Sequence, residues 1–212
     1  MTPFDLLFLA SALFSVFCLL LILVSALRRR SDRLRWWTRL LGSYLAAYAL
    51  VLVLTSLLSA RRVLAPGERR CWDDWCVTAV RAVPESVSAS SACDAAPNKR
   101  VWLAEVQISS VAKRVTQRAL DARAELEDQQ GQRYTPCAAW SGQGTSPPHT
   151  LSDPLRPGEF FSVLLPFQLP SSARPAGLIL QHGSFPGVLI IGDDSSWLHR
   201  RTLQRIAATP PS

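Results

Sequence analysis

The stretch Arg28-Arg29-Arg30-Ser31-Asp32-Arg33-Leu34-Arg35-Trp36-Trp37-Thr38-Arg39 puts six arginines into twelve residues, between two long runs that carry no charge. Leu6 to Leu27 is the first run and Leu40 to Ala60 the second. Each is close to the ~20 residues that cross a hydrocarbon core of ~30 Å at ~1.5 Å per residue. A link this short holds no domain, so a two-helix transmembrane hairpin is expected over residues 1–60, with 28–39 as its Arg-rich loop. Short loops rich in Lys and Arg stay on the cytoplasmic side, because carrying them across the bilayer is costly. The loop is then inside, with both termini and everything from about Arg61 onward outside. A cleaved signal peptide fits less well. Met1 to Asp5 has no Lys or Arg, the first run exceeds the usual apolar core of ~7–15 residues, and no small-residue cleavage site precedes the arginines.

The hairpin leaves about 150 residues, enough for one domain with a core of its own. The net charge of +7 divides informatively: six arginines against Asp5 and Asp32 leave +4 in residues 1–60, and seventeen Lys plus Arg against fourteen Asp plus Glu leave +3 beyond them. Much of the basicity is therefore a topology signal, reinforced by anionic head groups. With no basic stripe interleaved with aromatics, nucleic acid is not expected as a partner. Within the second span Gly42, Ser43, Ala46 and Ala47 form a small-residue face. Such faces let helix backbones approach, and the expected neighbour is the first span, with a dimer interface as the rival. Trp36, Trp37 and Tyr44 are expected as anchors at the cytoplasmic boundary. The spans hold no charged residue that would mark an ion path.

Arg61 to Arg70, with Pro66 and Gly67, reads as a juxtamembrane linker, and 71–206 as the outer domain. There the hydrophobic period becomes two. Leu120, Ala122, Ala124 and Leu126 alternate with charged residues and predict a strand with those four inside. Helix propensity opposes this, but helical spacing would align Arg123 and Glu127 with the apolar positions. Phe161, Val163, Leu165, Phe167 and Leu169 predict a second strand, whose Pro166 suggests an edge or a bulge. Val101–Val111, Trp75–Val83, Leu178–Gln181 and Val188–Ile191 are further strand candidates. Asp128–Gly131, Pro157-Gly158 and Pro186-Gly187 supply turns, 141–157 reads as a long surface loop, and 207–212 as a disordered tail. About seven short strands without intervening helices predict an all-β antiparallel sandwich.

Several landmarks resemble those of a telokin-like, immunoglobulin-like family of bacterial extracytoplasmic domains of unknown function. Leu126-Glu127-Asp128-Gln129-Gln130-Gly131-Gln132-Arg133-Tyr134 is similar to its strand–turn–strand with an acidic, glycine-containing turn before an aromatic. Leu155-Arg156-Pro157-Gly158-Glu159, followed by Phe167-Gln168-Leu169-Pro170, resembles its second signature. Asp74-Trp75-Cys76, and Ile190-Ile191-Gly192 with His199-Arg200, look like landmarks of a membrane-anchored subset with two N-terminal transmembrane helices. The resemblance spans about Cys71 to Ile206. It implies an immunoglobulin-like sandwich on the outer side of a bacterial inner (cytoplasmic) membrane, and it brings no catalytic residues.

Cys18 lies within the first span and reads as a small apolar side chain. Cys71, Cys76, Cys93 and Cys137 form an even set in a space that permits disulfides, with three pairings open. Cys71-Trp72-Asp73-Asp74-Trp75-Cys76 could also offer thiolates and a carboxylate to a metal, with Cys93 and Cys137 as a second pair. An oxidising compartment favours disulfides. His149, His182 and His199 share no i, i+4 spacing. A metal hydrolase could gather them with Asp193 and Asp194, yet Gly192-Asp193-Asp194-Ser195 is explained more simply as a turn. Nucleophile elbow, phosphate loop and dinucleotide motifs do not occur. The expectation is a non-enzymatic, membrane-anchored binding or scaffolding module for a protein partner, without cofactor. The alternatives are an envelope enzyme using His182, His199 and Asp193, and a structural subunit of a membrane complex.

Overall fold

The computed structural model describes residues 3–84, 93, 98–137 and 149–208. They fall into two compact units, one comprising 1–60 with Phe185–Arg200 and the other Arg61–Ser184 with 201–212.

In the first unit α1 (Pro3–Leu27) and α2 (Ser31–Leu58) form a helical hairpin. The expected loop 28–39 shrinks to Arg28–Arg30. Arg29 takes φ 53°, Arg30 N–H donates to Ser25 O and Arg29 N–H to Ala26 O, so the turn satisfies the last carbonyls of α1 in a Schellman arrangement. Arg33, Arg35 and Arg39 instead ride on the first turns of α2, since arginine favours helix and no Gly or Pro stops it. The small-residue face does not meet α1. Gly42, Ser43, Ala46 and Ala47 are exposed, and a Cβ on Gly42 would find nothing within 4 Å. The inward stripe is Leu41, Tyr44, Tyr48, Leu52 and Ser56, at helical spacing. Tyr44, expected as a boundary anchor, joins the helices: its ring lies 4.7 Å from that of Phe14 and its hydroxyl donates to Ser11 Oγ at 2.7 Å.

Phe185–Arg200 belongs to the same unit. Val188–Ile191 is not a strand. It follows a bend in which Phe185 is extended (φ −108°, ψ 134°) and continues in turns, with Leu189 N–H donating to Pro186 O and Ile190 N–H to Gly187 O. Four apolar residues carry no period of their own, and Pro186-Gly187 on one side and Gly192 on the other bend the chain back.

The second unit is a two-sheet sandwich. One sheet is ordered β1 (Val63–Leu64), β9 (Leu203–Arg205), β8 (Pro175–Gln181), β5 (Arg123–Asp128), β6 (Arg133–Tyr134). The other is β10 (Ala207–Ala208), β3 (Trp75–Pro84), β4 (Lys99–Ser110), β7 (Phe160–Pro170), with β2 (Arg69–Trp72) also on β3. The stretch expected as a linker thus supplies β1 and the first half of β2, and the expected tail begins with β10; residues 209–212 lie outside the described residues. The sandwich is not wholly antiparallel, because β1–β9 and β10–β3 run parallel. Residues 141–148 of the expected long loop also lie outside the described residues. At its far end Leu155 is fully buried, bridged to Gln117 through two hydrogen bonds of 2.8 Å.

Alternation builds the core. Trp102, Ala104, Val106 and Ile108 of β4 face Phe167, Leu165, Val163 and Phe161 of β7, and Ala124 and Leu126 of β5 face Leu180 and Leu178 of β8. Among the described residues β7 is paired as a strand with β4 alone, with only an isolated bridge to Pro136 on its other side, so Pro166 is tolerated there. Leu120 departs from its expected place and is 73% exposed. A turn closed by Ala122 N–H on Ala119 O precedes β5, so the burial falls to Ala119 instead. In β3 the inward residues switch from Trp75, Val77 and Ala79 to Ala82, because the register shifts between Ala79 and Arg81. A one-residue bulge exchanges the two faces of a strand. At that bulge the buried Gln204 side chain of β9 accepts from Ala79 N–H at 2.9 Å, tying one sheet to the other.

Gly177 of β8 is required by close approach. A Cβ there would meet Gln204 O at 2.5 Å and Leu203 Cδ1 at 2.8 Å. Gly177→Ala is expected to lower the unfolding free energy by about 2 kcal/mol through overpacking, whereas Gly42→Ala, in open space, should leave it unchanged or higher. Urea unfolding of the full chain in detergent, followed by tryptophan fluorescence, reads both.

Candidate functional site

The most unusual local string, Cys71 to Cys76, folds into the β2–β3 hairpin. Cys71 lies opposite Cys76 and Trp72 opposite Trp75, and Asp73 turns the chain at φ 52°, a conformation that Asp tolerates. Opposed residues share a face, so the hairpin carries its disulfide on one side and two indoles, 5.7 Å apart, on the other. The Arg70 guanidinium lies 4.2 Å over the Trp72 ring, a cation–π contact. The His182 ring, just past the end of β8, sits 5.0 Å from Trp75 and 6.5 Å from Trp72. His182 Nδ1 pairs with Asp121 Oδ1 at 2.5 Å, and Asp121 Oδ2 accepts from Gly183 N–H at 2.9 Å.

This cluster of Arg70, Trp72, Trp75, Asp121 and His182 is the strongest candidate site of the sandwich. A carboxylate on Nδ1 orients the imidazole and selects its tautomer, leaving Nε2 as the second functional nitrogen. Asp121 is hidden from sequence reasoning, where it reads as one charged residue in an alternating run. No local signal connects it to a histidine 61 positions away.

The other histidines have different partners. His149 Nδ1 lies 3.2 Å from Asp153 Oδ2 and its ring stacks on Phe161 at 4.4 Å. Hydrogen bonds from Thr150 hold the Asp153 carboxyl below its ordinary range, against a smaller opposing effect of burial, with His149 adding to the depression. His199 Nε2 lies 3.8 Å from Asp194 Oδ1, within the unit that contains the helices. Asp193 accepts from Ser195 N–H at 2.6 Å, an Asx turn. Among the described residues no three His, Cys, Asp or Glu side chains gather as a metal site. The four cysteines beyond the helices pair as Cys71–Cys76 and Cys93–Cys137, and Cys18 is free and buried.

A second polar constellation is built around Glu127, whose side chain is 6% exposed. Arg61 reaches it with two nitrogens at 2.6 and 2.8 Å, and Arg133 Nε donates at 3.3 Å. Burial alone would push the Glu127 carboxyl up. The Arg61 and Arg133 guanidiniums outweigh it and hold the group below the usual carboxylate range. Next to it Asp128 accepts from Gln130 and Gln132 N–H and from the Tyr134 hydroxyl, all at 2.9 Å. Gly131, at φ 81°, completes that turn. Burial, then the Asp128 carboxylate, push the Tyr134 hydroxyl up.

No protein-family model and no curated protein sequence matches the chain. Among solved structures, a secreted protein of Mycobacterium tuberculosis, MPT63, is similar at 12% identity and a TM-score of 0.44, over 59% of this chain and 92% of that one. An uncharacterized β-sandwich protein of Clostridium difficile 630 is similar at 12% identity and a TM-score of 0.39, over 69% and 95%. The yjhA protein of Bacillus subtilis gives 12% and 0.37, over 68% and 99%. Likenesses of this strength carry no information on ligand, partner or activity.

Proposed function

We propose that the chain is a membrane-anchored binding or scaffolding module: a transmembrane hairpin that holds an immunoglobulin-like, telokin-like sandwich on the outer face of a bacterial inner membrane. The observation that carries this reading is the hairpin itself. Two helices of 25 and 28 residues, both long and apolar enough to cross a bilayer, are joined by a turn of three arginines, with three more on the first turns of α2. Six arginines at one end of a hairpin favour that end as cytoplasmic. Two disulfides in the second unit agree with an oxidising space.

Protein contact is favoured by β7. Among the described residues its Phe160–Leu165 half pairs with β4 on one side only, and Phe160 and Leu164 are exposed on it. A strand edge beside exposed apolar side chains can take up an added strand. Two experiments test the reading. A reporter active only in the cytoplasm, fused after Ser212, is expected to stay silent; strong activity would remove the anchor topology. Photocrosslinking groups at Phe160 and Leu164, in intact cells, are expected to capture a protein that a group at Lys113 does not. Equal capture from all three positions would refute the β7 contact.

A further inference from the structure

We infer that Phe185–Arg200 is a membrane-dipping segment, which lies in the outer leaflet beside the hairpin. The inference rests on the transmembrane reading of the two helices. The segment packs against both helices of its unit. Leu189 O accepts from the Tyr48 hydroxyl at 2.7 Å, and a Cβ on Gly192 would lie 3.7 Å from the Phe4 ring.

Its side chains suit lipid. Ile190 and Ile191 are buried, whereas Phe185, Leu189, Trp197 and Leu198 are 75%, 44%, 59% and 51% exposed. Four large apolar side chains exposed within fourteen residues are disfavoured in water. The exposed apolar surface of α1 and α2 lies in the same unit, so lipid is the occupant that matches both. Trp197, followed by Leu198 and the exposed Arg200, has the order expected at a head-group boundary.

The backbone of the segment is partly satisfied from within. Irregular chain at membrane depth must satisfy its polar groups internally. Here Leu189, Ile190, Asp193, Ser196, Trp197 and His199 each donate a backbone N–H to a carbonyl within the segment. Ser196 Oγ donates to Ile190 O, and Asp193 Oδ1 takes the N–H of Ser195. Seven backbone N–H groups are thus satisfied within the segment, which lowers the cost of placing it in lipid.

Nitroxide labels on the full chain, in liposomes of phosphatidylcholine and phosphatidylglycerol, test this. They are placed singly at Leu198→Cys, Leu20→Cys and Lys113→Cys in a Cys18→Ala background. The Leu198 label is expected to be more accessible to oxygen than to a water-soluble nickel chelate, as at Leu20, with Lys113 reversed. A Leu198 label that follows Lys113 while Leu20 stays lipid-facing would overturn the inference and leave the anchor intact. A Leu20 label in water would overturn both. In the natural chain, brominated phosphatidylcholine should quench a component of the emission that Trp197→Phe removes. If both proteins are quenched by the same amount, Trp197 is outside the lipid and the inference fails.

Discussion

Replacing Cys93 and Cys137 together by alanine is expected to lower the unfolding free energy of the sandwich by about 4 kcal/mol, the chain-entropy value for a closed loop of this length. The bridge spans 44 positions. It joins the connection between β3 and β4 to the chain just beyond β6, where Cys137 N–H is already pinned to Pro166 O of β7 at 2.8 Å. The Cys71–Cys76 bridge spans only five, and its removal should lower stability by about 2 kcal/mol on the same relation. Urea unfolding of the oxidised full chain in detergent, compared with the two double variants, gives the order directly. Equal losses, or a larger loss from the short bridge, would contradict the loop-entropy account.

Arg61→Ala is expected to lower the unfolding free energy by about 3 kcal/mol, at the low end for a broken buried pair, because Arg61 is itself a quarter exposed and Arg133 stays within reach. The damage is the Glu127 carboxylate left with one partner in a site where it is 6% exposed. Substituting both partners, Arg61→Met with Glu127→Leu, should recover most of the loss, since no charge is then stranded. The pH dependence has a definite sign. The folded-state pKa of Glu127 is depressed, so its contribution is complete above the unfolded value, near ~4.3. It disappears as the pH falls through the lower folded value. The natural chain should therefore lose stability below about pH 4 more steeply than the double variant. Parallel pH profiles would show that the carboxylate is not held by its arginines.

The strands that alternate cleanly are legible in the order of their residues. Phe161 to Leu169 faces inward at every second residue because both neighbouring environments are uniform, core on one face and solvent on the other. Leu120 misleads because a turn at Ala119–Ala122 intervenes, and a turn resets the phase without changing the composition. Val188–Ile191 misleads because four apolar residues serve a strand and a packed turn equally well. The small face of α2 misleads for another reason. Close backbone approach is only one way to join two helices, and here Tyr44 reaches across to Ser11 and Phe14.

By itself the sequence determined two things: the two charge-free runs with six arginines between them, and the two-residue period of the sandwich strands. Both are local, since charge, length and periodicity act between neighbours along the chain. Only the tertiary structure decided which cysteines pair, where Glu127 finds Arg61, and that Asp121 holds His182 beside two tryptophans. It alone also assigned Phe185–Arg200 to the unit of the helices. Apart from the Cys71–Cys76 bridge, which spans five positions, these depend on residues from 44 to 141 positions apart, and on a bulge at Ala79–Arg81 that exchanges the faces of β3. Distance along the chain carries no information about such meetings, because they are set by the register of paired strands and the packing of one layer on another.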